Sequence, residues 1–108
     1  MKLHDHALCP KFEAAFELLG KRWTGLMIQV LRSGPQRFKD ISESIPGMSD
    51  RMLSERLKEL EVAGILIRDV YPETPVRIEY QLTKKGKALE SVMNEVQKWA
   101  EMWDEVTI

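Results

Sequence analysis

Residues 37–64, RFKDISESIPGMSDRMLSERLKELEVAG, contain two helical patterns separated by Pro46-Gly47, and this break constrains the fold more than any other stretch. Phe38, Ile41 and Ile45 recur at helical spacing, which predicts a helix over 38–45. Pro46-Gly47-Met48 forms the turn, because proline stops the first helix and glycine redirects the chain. Ser49 is a suitable N-cap for a second helix over 49–64, its hydroxyl able to accept from a free backbone N–H one turn on. Leu53, Leu57 and Leu60 fall on one side of that helix. At about 100° per residue, Arg51, Glu55, Lys58 and Val62 fall on the other, with Ser54 flanking them. Two short helices at this spacing form a helix-turn-helix, whose second helix can enter a DNA major groove.

The flanking segments extend the unit. Phe12, Ala15, Phe16 and Leu19 predict a helix over 11–19, closed by Gly20 in the left-handed conformation. Trp23, Leu26, Met27, Val30 and Leu31 give the apolar stripe of a helix over 23–32, ended by Ser33-Gly34-Pro35. After Gly64, residues 65–71 and 76–82 read as two strands. The second alternates, with Val76, Ile78, Tyr80 and Leu82 on one face and Arg77, Glu79 and Gln81 on the other. Pro72-Glu73-Thr74-Pro75 joins them as a stiff four-residue loop. A helix-turn-helix followed directly by a β-hairpin is a winged helix. Thr83 caps one final helix over about 83–105, with a stripe of Leu89, Val92, Met93, Val96, Trp99, Ala100, Trp103 and Val106. The expected fold is thus mainly α with a small β-hairpin wing, in a single domain over 1–108.

Composition narrows the function classes. No apolar run approaches the roughly 20 residues of a membrane span, and the N-terminus lacks the apolar segment of a signal peptide. The expected location is the cytoplasm. A single cysteine excludes an intrachain disulfide framework. Net charge is −1, but residues 1–87 hold 15 Lys/Arg against 12 Asp/Glu, and residues 88–108 hold one Lys against five acids. The acidic excess therefore sits in the last segment, away from the proposed DNA-facing helix. There is no Gly-rich phosphate loop and no nucleophile-elbow pattern, so neither an enzyme nor a cofactor is expected. His4, Asp5, His6 and Cys9 form a metal cluster on paper, yet a terminal tail seldom supplies rigid, oriented ligands, and no metal site is expected.

The candidate DNA contacts are Ser49, Arg51, Ser54, Glu55, Arg56 and Lys58 on the second helix, with Arg77 on the wing. Arg can pair bidentately with guanine, Glu can accept from cytosine N4, and Ser can donate to base or phosphate. Lys58 suits phosphate, and Arg56, beside the leucine stripe, reaches toward the DNA backbone. Arg77, with Arg68, either enters the flanking minor groove or forms an ion pair with Asp69 or Glu73 within the hairpin. Lys84, Lys85 and Lys87 are either solvated or hold phosphate beside the wing. The final helix, with Trp99, Trp103, Met93 and Met102, has more apolar surface than so small a domain needs, which points to dimerisation with double-stranded DNA read as two half-sites. Cys9 is either a packing residue or a thiol sensor whose reactive thiolate is favoured by Lys11 or a protonated His6. A winged helix used as a protein-interaction module without specific DNA binding is the alternative reading.

The chain resembles the HxlR family of bacterial winged-helix regulators, related to the MarR group. The resemblance rests on Cys9-Pro10, LLGKRWTGLMIQVL over 18–31, the stretch over 37–68, and the wing pattern Tyr-Pro-Glu-x-Pro-x-Arg-x-Glu-Tyr over 71–80, continuing to Trp99. It implies a homodimeric transcription factor. The expected target is an inverted-repeat operator, with repression by blocking polymerase as the expected mode and activation left open. The resemblance also implies a dimer interface built by the first and last helices, to which Phe12, Phe16, Val96, Trp99 and Trp103 are assigned. A cysteine at the position of Cys9 implies sensing of an electrophile or oxidant effector. Two residues depart from the pattern: Phe12 stands where a smaller aliphatic residue is commoner, and Glu55 where Gln is frequent.

Overall fold

The computed structural model describes residues 8–103. Helices α1 (Pro10–Leu19) and α2 (Thr24–Leu31) precede the helix-turn-helix, α3 (Phe38–Ser44) and α4 (Asp50–Val62). Strands β1 (Leu66–Tyr71) and β2 (Arg77–Leu82) form the wing, and α5 (Lys84–Lys87) and α6 (Glu90–Met102) end the described chain. His4, Asp5, His6 and Val106 lie outside the described residues.

Local chemistry sets both ends of α4. The Ser49 hydroxyl accepts from the Met52 N–H at 3.1 Å, satisfying one of the free donors of the first turn. At the other end Gly64, at φ +77, allows a Schellman closure. The Gly64 N–H donates to the Glu61 carbonyl, and the Ile65 N–H to the Leu60 carbonyl at 2.9 Å. Leu53, Leu57 and Leu60 are buried against Met27, Ile28, Leu31, Ile41, Ile45 and Met48. Each buried leucine contributes about 1.5–3 kcal/mol relative to exposure, so the leucine stripe fixes which side of α4 faces out.

The hairpin is antiparallel, with Tyr71 opposite Arg77 and Leu66 opposite Leu82. Its loop has five residues, 72–76, because Val76 lies outside the strand and is exposed. The expected alternation along β2 is not expressed as burial. Only Leu82 is buried, and the residues from Arg77 to Gln81 are all half-buried, because a two-stranded wing has no second layer over most of its length. Gln36 adds a single bridge to the sheet: its N–H donates to the Tyr80 carbonyl at 2.9 Å, and the Tyr80 N–H to the Gln36 carbonyl at 2.8 Å.

Four further expectations are corrected. The buried face of α2 is Thr24, Met27, Ile28 and Leu31, an i, i+3, i+4, i+7 set that leaves Leu26 exposed. Trp23 does not begin this helix but caps it at φ +80, which sets the register one residue later. Gly20 ends α1 in the right-handed region, at φ −81. The final helix is two helices. Thr83 accepts from the Gly86 N–H at 3.1 Å, and the Leu89 N–H then bonds to the Gly86 carbonyl, three residues back. That tightened turn ends α5 before α6 begins.

Candidate nucleic-acid interface

The outward side of α4 presents the predicted reading residues in different states. Arg51 reaches into solvent, its side chain 90 % exposed. Among the described residues its one side-chain partner is Glu55, one turn on at 3.4 Å, a long contact that water competes with easily. Ser54, Glu55 and Lys58 are also exposed on this face. Ser49 is exposed but uses its oxygen as the helix cap, which leaves its hydroxyl hydrogen free to donate. The start of α4 is held by a second bond, from the Ser42 hydroxyl on α3 to the Asp50 carboxylate at 3.1 Å. A groove of about 350 Å³ separates α4 from the hairpin, with Ser54, Lys58, Glu61, Arg68 and Tyr80 in its lining.

Two of the predicted arginines are turned inward. Arg56 is only 14 % exposed and donates to the Arg22 carbonyl at 3.0 Å. Arg77 is clamped within the wing: it donates to Glu73 at 2.9 Å and to Glu79. The ion-pair alternative is therefore what the wing adopts for Arg77, with Glu73 rather than Asp69 as partner. Asp69 instead accepts from the Gln81 amide at 2.7 Å. The hydrogen bond from Arg77 holds the Glu73 carboxyl below its ordinary range, with the charges of Arg77 and Arg37 acting in the same direction. The same contacts to Glu73 and Glu79 push Arg77 above its ordinary value.

The three lysines after the wing, Lys84, Lys85 and Lys87, are all exposed. Lys85 donates to the Ala63 carbonyl at 2.7 Å, placing a cation at the C-terminal end of α4, where the helix dipole favours it. The sequence pattern around Lys85 gave no sign of this role, which depends on the turn at Gly64 bringing α5 under α4.

Cys9 is exposed and is the N-cap residue of α1. Its carbonyl accepts from the Glu13 N–H at 3.0 Å. No residue of α1 is buried. The Phe12 and Phe16 rings meet in a tilted pair, 4.9 Å between centroids and 54° between planes, and line an open hollow with Leu8 and Pro10. Along α6 only Met93 is buried. Phe12, Phe16, Val96, Trp99 and Trp103 are each between 55 and 58 % exposed, so none of the five is used by the core of the described chain. Among the described residues no group of three His, Cys, Asp or Glu side chains is placed to hold a metal, and no helix is long and apolar enough to cross a membrane.

The fold and this polar helix face define a winged helix-turn-helix protein. The profile of the HxlR-like helix-turn-helix family matches residues 18–107. The chain belongs to that family. It is 57 % identical over 100 residues to the HTH-type transcriptional regulator YodB of Bacillus subtilis (strain 168), covering 93 % of this chain and 89 % of the relative. The solved structure of the reduced form of YodB superposes with a TM-score of 0.82 at 57 % identity, covering 93 % of this chain and 98 % of that one. The quinone-bound form of YodB superposes with a TM-score of 0.79 at 54 % identity, covering 88 % and 99 %.

Proposed function

We propose that the protein is a transcriptional regulator that binds an inverted-repeat operator as a homodimer in the cytoplasm, repressing by occlusion of polymerase, and that Cys9 makes it responsive to electrophiles or oxidants. The observation that carries the DNA-binding reading is α4 itself. Its leucine face is buried, its N-terminus is capped, and Arg51, Ser54, Glu55 and Lys58 are left on the open side. A winged-helix relative named as a transcriptional regulator supports the same use. The dimer is supported by the uncovered aromatic residues of α1 and α6. The thiol response is supported by the exposure of Cys9 and by the existence of YodB in reduced and quinone-bound forms.

The test is a gel shift on DNA flanking the protein's own gene across a salt series, before and after diamide or benzoquinone. A specific shift that weakens steeply with salt is expected, with the wild-type chain, but not Cys9→Ser, changing affinity on treatment. Absence of any specific shift overturns the DNA-binding reading in favour of a protein-interaction module. Equal responses in both chains remove Cys9 from the mechanism.

A further inference from the structure

We propose that Arg56, although it sits on the DNA-reading helix, is a positioning residue that locks α4 to the corner between α1 and α2 and touches no phosphate. The inference rests on the DNA-binding reading of α4. The Arg56 Nε donates to the Arg22 carbonyl at 3.0 Å, and its Nη1 donates to both carboxylate oxygens of Glu59 at 3.2 and 3.3 Å. Glu59 also receives Lys21 Nζ at 3.2 Å. One guanidinium and one carboxylate on successive turns of α4 thus hold both Lys21 and the backbone of Arg22.

The corner they hold is itself built tightly. Trp23 stands at φ +80, a conformation that bulky residues rarely adopt. The Arg22 guanidinium covers its ring at 4.4 Å. The far edge of the same indole lies against the helix-turn-helix turn, where a Cβ built on Gly47 would meet it at 3.7 Å. The corner therefore touches both the turn before α4 and the middle of α4.

The leucine stripe alone does not specify α4 fully. Apolar burial is non-directional, so small rolls and slides of a helix on Leu53, Leu57 and Leu60 change it little. Hydrogen bonds to a charged group are directional and strong. Two links cross from α4 to the corner, from Arg56 to the Arg22 carbonyl and from Lys21 to Glu59, and the bonds from Arg56 to Glu59 within α4 tie the two together, so that they fix the roll of α4 and with it the aim of Arg51 and Ser54. An Arg56 that swung out to a phosphate would leave the Arg22 carbonyl unpaired and Glu59 with Lys21 alone.

The experiment compares wild type, Arg56→Ala, Arg56→Lys and Glu59→Gln in the full chain. Each is titrated against two labelled duplexes, the sequence that wild type selects from a genomic fragment pool and a mixed-sequence duplex of equal length. Far-UV circular dichroism and thermal midpoints confirm that binding is measured on folded protein. Arg56→Ala and Glu59→Gln are both expected to weaken binding to the selected duplex, Arg56→Ala by about tenfold. Binding to the mixed duplex, and the dependence of affinity on salt, stay at wild-type values. Arg56→Lys stays weak, since a single ammonium does not reproduce the fork that spans two acceptors. Removing a positive and a negative charge with the same sign of effect is incompatible with a phosphate contact. The proposal is overturned if Arg56→Ala weakens both duplexes and reduces the salt slope by about one while Glu59→Gln tightens binding. It is equally overturned if Arg56→Ala binds the selected duplex as wild type does. A wild-type chain that prefers no sequence overturns the DNA-binding reading, and this assignment with it.

Discussion

The guanidinium carbon of Arg77 stands 3.9 Å from the centroid of the Tyr71 ring, its cross-strand partner in the hairpin. Stacking on one face and ion pairs to Glu73 and Glu79 at the edges hold the tip of the wing as one unit. The Glu73 carboxyl is held below its ordinary value of 4.5, first by the hydrogen bond from Arg77. A carboxyl whose folded value is lowered adds stability above its unfolded value and loses it as pH falls through the folded one. The wing clasp is therefore complete above about pH 4.5 and opens in more acidic solution, while Arg77 stays charged throughout. In Arg77→Ala the NMR titration midpoint of Glu73 should rise toward 4.5. A midpoint unchanged by the substitution would show that Arg77 is not its partner in solution.

Arg51 gives a complementary expectation. Its side chain is 90 % exposed, so Arg51→Ala should leave the unfolding free energy within about 0.5 kcal/mol of wild type. If it reads a guanine, loss of the side chain should cost about 1–3 kcal/mol on the selected duplex and relax preference at one base pair. Lys58→Ala should instead weaken all duplexes alike and reduce the salt slope by about one. Fluorescence anisotropy across a salt series separates the two. A uniform loss from Arg51→Ala would reassign that residue to phosphate.

Much of the core was legible in sequence because its signals are local. Ser49, the leucines of α4 and Gly64 each act through neighbours within a turn or two, and the winged-helix outline follows from them. The register of α2 was not legible, because it depends on Trp23 adopting a positive φ, which no period in the sequence marks. The ion pair of Arg77 with Glu73 was one of two readings the hairpin sequence offered, whereas the inward seat of Arg56 escaped for a related reason. A helical projection already sets Arg56 beside the leucines and about 140° from Arg51, but it cannot show the Arg22 carbonyl, contributed 34 residues earlier, that holds the side chain inward. The Gln36–Tyr80 bridge likewise joins segments whose proximity exists only once α3 and α4 are folded.

Gly86 shows how closely α5 approaches the wing. A Cβ there would meet the Ile65 carbonyl oxygen at 2.1 Å and a Leu82 methyl at 3.1 Å. The same Ile65 carbonyl accepts from the Thr83 N–H at 2.9 Å, so it cannot retreat without breaking the link between the end of β2 and the start of β1. Gly86→Ala should destabilise the fold by about 1–3 kcal/mol through overpacking, read as a lower midpoint in urea with unchanged slope. An unchanged midpoint would mean that α5 shifts freely, and that the close seat of Lys85 at the end of α4 is not maintained.

The apolar surfaces of α1 and α6 set the last expectation. Trp99 on α6, Trp103 at its C-terminal cap, and Phe12 and Phe16 on α1 are more than half exposed, although aromatic side chains bury roughly 150–250 Å² each when covered. In a two-fold dimer each such residue counts twice, because the interface is self-complementary. Trp99→Ala should therefore remove about 2–4 kcal/mol per copy from association if it is an anchor, and shift the chain from dimer to monomer in sedimentation velocity at micromolar concentration. The described core has no contact to lose, since Met93 is the only buried residue of α6, so the circular dichroism spectrum should stay that of a folded helical protein. Operator affinity should fall with the loss of the second half-site, while the weak binding of a single half-site remains. A Trp99→Ala chain that stays dimeric would move the interface off α6, leaving the aromatic pair of α1 as the surface to test next by Phe16→Ala.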